Sequence, residues 1–215
     1  MSYAVLSLPF MEDTIPDWFY DASNPMNLIS KADKYAKGQG LVRGVHYEMF
    51  SAGTIQHLTK ALDKIRNYHV VYLDIHGPAE KCEQLPSTIA VPGTTNDERD
   101  CLDILPTALG LRESSVELLI VGSCHQTQES WEHAVPPGCV VIGYKELLKP
   151  KHHRHMFERF IDLQQLLKEG RTTGPDALPQ WQNDIVEWFD KVLNRGTHRP
   201  KPCDWFITAG ATSSV

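Results

Sequence analysis

A chain of 215 residues with 41% apolar and 22% charged residues is long enough to bury one sizeable α/β core, and its composition is that of an ordinary globular protein, so disorder is not the default. Its net charge of −6 and the lack of any long basic stripe argue against nucleic-acid binding, the Lys149–Arg154 run being short and interleaved with histidines. No apolar run reaches the roughly 20 residues that span a bilayer. The start, MSYAVLSLPF, has neither the basic region nor the small-residue cleavage site of a signal peptide. Five cysteines at irregular spacings make no disulfide framework, so reduced thiols in a cytoplasm, without membrane association, are expected.

Taken along the chain, Tyr3–Leu8 is an apolar run ending at Pro9 and reads as a first strand. Residues 10–44 read as a long loop with one helix near 26–37, and Val45–Phe50 as a second strand. A helix follows from Thr54 to Arg66, with Ile55, Leu58, Leu62 and Ile65 on one stripe and Ser51 or Thr54 as its cap. Val70–Ile75 (VVYLDI) is a buried strand stopped by His76-Gly77-Pro78. Residues 79–97 read as an excursion with a short hairpin through Thr88–Val91, and Asp97–Ala108 as a helix disturbed late by Pro106. Val116–Val121 (VELLIV) is the clearest strand, ending at Gly122-Ser123-Cys124-His125, and Val140–Tyr144 (VVIGY) follows a Pro-Pro-Gly turn.

Two amphipathic helices come next, one with Met156, Phe157, Phe160, Leu163 and Leu167 on its apolar face, the other with Trp181, Ile185, Trp188, Phe189 and Val192. Residues 170–179 link them, and Asp204–Ala209 reads as a strand or edge piece. Short β-branched strands separated by helices predict a mainly parallel sheet covered on both faces, in one domain over 1–215. Its core would take about 1–165, with a helical extension over about 175–215.

In such sheets the working residues sit beyond the carboxyl ends of the strands. Two strands here end in His76-Gly77 and in Ser123-Cys124-His125. A thiol attacks acyl carbon as thiolate, and an imidazole can manage the protons. Asp74 shares a strand face with His76 and is a candidate pocket wall, as is Trp131 near the cysteine. His125 is a rival base, although strand neighbours point to opposite faces. His76, Cys82, Cys124 and His125, or the cluster His152, His153 and His155, offer metal-ligating atoms but lack the paired spacing of structural zinc. The histidine cluster reads better as a solvated face. Neither a dinucleotide or Walker phosphate loop nor a Gly-x-Ser-x-Gly elbow occurs, so no cofactor is expected.

VVYLDIHGP and LLIVGSCHQT resemble the two signature segments of the caspase-like cysteine peptidases, which include caspases, metacaspases and CHAT-domain peptidases. The His-to-Cys separation of 48 residues lies close to the caspase-type value of about 50. The Ser-Cys-His sequence is similar to the metacaspase form, and VVIGY with its following helix fits small bacterial members. The resemblance implies a three-layer α/β/α sandwich of the caspase-hemoglobinase type and a cysteine endopeptidase acting on a protein or peptide substrate, with a regulatory protein partner in some members. Cys124 would be the nucleophile and His76 the general acid–base, with the backbone N–H groups of Gly77 and Cys124 as the oxyanion hole. Gly77, having no Cβ, would also let substrate approach the backbone. Gly122 stands where metacaspases carry an acidic residue, and no arginine flanks Cys124 as in caspases, so side-chain preference is open. The alternatives are a catalytically silent caspase-like interaction module and a cysteine-dependent acyl hydrolase or transferase.

Overall fold

Parallel strands buried on both faces need near-continuous apolar sequence, and the runs beginning at Val70, Leu118 and Val140 supply it. In the computed structural model they are neighbours in a six-stranded sheet. The structure describes residues 3–7, 37, 38, 40, 42, 44, 47–77, 87–94, 101–146, 160 and 205–212. The strands of the sheet are β1 (Tyr3–Ser7), β2 (Glu48–Ser51), β3 (Val70–Asp74), β6 (Leu118–Gly122), β7 (Val140–Tyr144) and β8 (Trp205–Ala209). A separate hairpin pairs β4 (Ile89–Pro92) with β5 (Cys101–Ile104). The sheet order is β2-β1-β3-β6-β7-β8, parallel throughout except for β8, which runs antiparallel along β7.

The central strands alternate between two packed faces. Val71, Leu73, Ile75, Leu119, Val121 and Val141 belong to one apolar cluster with residues of helices α1 (Ile55–Ile65) and α2 (Gln128–Glu132). The intervening positions Val70, Tyr72, Leu118, Ile120 and Ile142 are also buried, and the Tyr72 ring packs on Phe160 at 5.5 Å between centroids. Helix α1 starts where the Thr54 hydroxyl accepts the His57 N–H at 3.3 Å. It buries Leu58, Ala61, Leu62 and Ile65, of which each large side chain contributes roughly 1.5–3 kcal/mol of transfer free energy.

One expected helix is absent. Of the stretch Asp97–Ala108, residues 101–104 form β5 and 106–109 a turn of 3₁₀ helix. Pro106 disfavours helical geometry at Leu105, which is extended at φ −72°, ψ 147°, so no helix can run through this point. Upstream of it, the Cys101–Ile104 segment pairs with Ile89–Pro92 instead. The hairpin expected at Thr88–Val91 is therefore longer, and its second strand lies where a helix was read. The helices expected over 26–37, 156–167 and 181–192 lie largely or wholly outside the described residues. Among the described residues, no helix is long and apolar enough to cross a membrane.

Candidate functional site

Strands β3 and β6 lie side by side and in register, Asp74 opposite Gly122. Two residues further along each chain stand His76 and Cys124. The pairing persists past the last ladder residues, since the Ile75 N–H donates to the Gly122 carbonyl at 3.4 Å. Gly77 then packs directly on the Cys124 peptide: a Cβ placed on it would lie 1.9 Å from the Cys124 carbonyl oxygen and 2.9 Å from Ser123 Oγ. The lack of a side chain at Gly77 is thus required by its own neighbouring strand, a different reason from the substrate approach expected of it. On its other side, His76 accepts the Ala90 N–H at 2.9 Å, which attaches the hairpin to the site. His76, Gly77 and Cys124 are all partly exposed.

The remaining candidates fall around this edge. Asp74 closes β3 and is partly buried; its charge, after burial itself, helps hold the Tyr72 phenol well above its usual range. The strand ends at Gly122, so the opposite-face rule applied to His125 does not govern it. His125 adopts φ +51°, the one non-glycine residue with positive φ among the described residues. A left-handed conformation costs a side-chain-bearing residue about 1–2 kcal/mol and is met at functional sites. Its N–H donates to the Glu146 carbonyl at 3.1 Å, while its Nδ1 is buried with no hydrogen-bond partner among the described residues. Buried Ser123 Oγ is likewise unsatisfied.

Trp131 is fully enclosed, so it supports the site from behind rather than lining an open pocket. Its Nε1 donates to Gln126 Oε1 at 2.9 Å. Gln126, which the sequence reading passed over, is buried directly after the Cys124-His125 turn. A polar residue two positions past a strand-ending cysteine gives no local sign of burial; its partner appears only once Trp131 turns back onto it. Three hydroxyls complete this region. Ser87 Oγ bonds to Thr127 Oγ1 at 3.0 Å and to Ser130 Oγ at 2.9 Å, and it accepts the Thr127 N–H at 2.8 Å.

The two described cysteine side chains differ in kind. Neither Cys124 nor Cys139 forms a disulfide, and Cys124 is partly exposed whereas Cys139 is buried. Burial, then the charge of Glu117, pushes the Cys139 thiol up to about 12, so it stays protonated and unreactive. A cleft of about 470 Å³ lined by His69, Ser114, Glu117, Gly138 and Cys139 lies at the opposite, amino-terminal edge of the sheet. No group of three metal-ligating side chains forms among the described residues; Cys82, His152, His153 and His155 lie outside them. Compared with protein-family models and with curated proteins, the sequence matches none of either.

Proposed function

We propose that this chain is a cysteine endopeptidase of the caspase-like type, with its sheet in a three-layer α/β/α sandwich, working on protein or peptide substrates in a reducing cytoplasm. One observation carries the reading. Adjacent parallel strands in register bring His76 and Cys124 to the same carboxyl edge, with the Gly77 backbone against the Cys124 peptide. Burial of both sheet faces supports the layered architecture.

In this reading Cys124 Sγ attacks the scissile carbonyl carbon as thiolate. His76 holds the proton and delivers it to the departing amine as the C–N bond breaks, leaving a thioester. It then takes a proton from the water that hydrolyses that thioester. The N–H groups of Gly77 and Cys124 face the developing oxyanion, where fixed donors contribute most. Asp74 and His125 flank the substrate's approach.

The test is site-resolved alkylation with iodoacetamide together with hydrolysis of a peptide library. Cys124 should react at pH 6 at least ten-fold faster in wild type than in His76→Ala, buried Cys139 staying unlabelled in both. Cys124→Ala should abolish peptide cleavage. Equal labelling in wild type and His76→Ala would leave a silent binding module, and turnover of aryl esters without peptide cleavage an acyl hydrolase.

A further inference from the structure

The geometry points to Gln126 as the positioning residue that holds Cys124 in place, an inference that rests on the Cys124–His76 reading. Its side-chain amide donates to the Cys124 carbonyl at 2.8 Å and to the Thr88 carbonyl at 3.2 Å. Its Oε1 accepts from Trp131, and its backbone N–H donates to the Tyr144 carbonyl at 2.8 Å. Four segments therefore meet at one residue that is 1% exposed: the cysteine turn, the start of the hairpin, α2 and the end of β7.

The Cys124–His125 peptide is fixed at both ends. Gln126 holds its oxygen, and the Glu146 carbonyl holds its N–H. The same oxygen is the surface on which Gly77 rests, so Gln126 sets the spacing between the cysteine turn and the residue following His76. Trp131 removes the ambiguity of the amide: with Oε1 committed to an indole N–H, only Nε2 can face the two carbonyls. Without that amide the part-buried Cys124 carbonyl would lose this hydrogen bond, and the turn would settle elsewhere.

The test compares Cys124 alkylation across pH in wild type, Gln126→Met, Trp131→Phe and Leu58→Ala, each followed also by thermal unfolding. Leu58→Ala is a core destabilisation in α1, away from the turn. The titratable side chains on the segments around Cys124 include Tyr72, Asp74, His76, His125, Glu129, Glu132, Tyr144, Lys145 and Glu146, and every variant keeps all of them. Gln126→Met and Trp131→Phe should label Cys124 at least ten-fold more slowly than wild type at pH 6. The deficit should vanish near pH 9.5, where a thiol ionises without help. Leu58→Ala should show no such deficit, because loss of stability alone exposes a thiol and speeds its labelling.

Should Gln126→Met fail to fold, Trp131→Phe decides, since it keeps the amide and removes the bond that orients it, Leu58→Ala controlling for the buried volume it also loses. Wild-type pH profiles in the folded Gln126 and Trp131 variants would overturn the assignment while leaving the dyad standing. Identical profiles for wild type and His76→Ala would overturn the dyad, and the role of Gln126 with it.

Discussion

Replacing Gly77 with alanine adds one methyl group at the tightest contact of the candidate site. Gly77 lies outside the left-handed region, so alanine meets no positive-φ penalty there and the clash is steric. The added carbon would sit 1.9 Å from the Cys124 oxygen and 2.8 Å from its carbonyl carbon. Reaching ordinary contact near 3.4 Å requires the two chains to part by about 1.5 Å, and both obstacles are backbone, which cannot rotate away. Overpacking of this kind costs about 1–3 kcal/mol, or a fall in Tm of roughly 2–12 °C for a domain of this size. A misplacement of about 1 Å at a reacting centre costs about 10²-fold, so the proposed peptidase activity should fall by that order in protein that still folds. Differential scanning fluorimetry and peptide turnover read the two effects. Gly38→Ala, where a Cβ meets nothing within 4 Å, is the control. Gly143→Ala, obstructed by the Phe206 side chain rather than by backbone, should fall between them. Wild-type stability in Gly77→Ala would refute the close packing on which the site's geometry depends.

Two further outcomes follow from bonds outside the proposed dyad. Hydrogen bonds from Thr208 and Gln128 hold the Glu132 carboxyl below its usual value of 4.5. A depressed folded value stabilises above the unfolded pKa and is lost as pH falls through the folded one; Glu132→Gln should therefore be less stable than wild type at neutral pH and converge with it in acid, as read by urea midpoints across pH. Ser87→Ala removes the hydroxyl shared by Thr127 and Ser130, so amide exchange in β4 should quicken while β6 and β7 stay protected.

The sheet was legible because its central strands are long apolar runs whose ends are marked by glycine and polar residues, as at Ile75-His76-Gly77 and Val121-Gly122-Ser123. Thr54 was legible as a cap because its hydroxyl acts on a residue three positions away. The hairpin strand β5 was not, since Cys-Leu-Asp-Ile suits helix or strand and only pairing with Ile89–Pro92 decides it. The conformation of His125 was hidden for a related reason: strand alternation holds only while the ladder lasts, and the turn begins one residue before Cys124. The bond of Gln126 to Thr88 and the contact of Gly77 with Cys124 span 38 and 47 residues of sequence, which no periodicity encodes.

The late position of β8 in the chain bears on how the molecule is made. Until Trp205–Ala209 leave the ribosome, the edge of β7 away from β6 has a row of amides and carbonyls with no companion strand. Arg112 then clasps the arriving segment, its guanidinium joining the Ala211 carbonyl to those of Glu132 and Val135. Every nascent chain therefore carries an adhesive border from the completion of β7 until Trp205–Ala209 emerge to seal it.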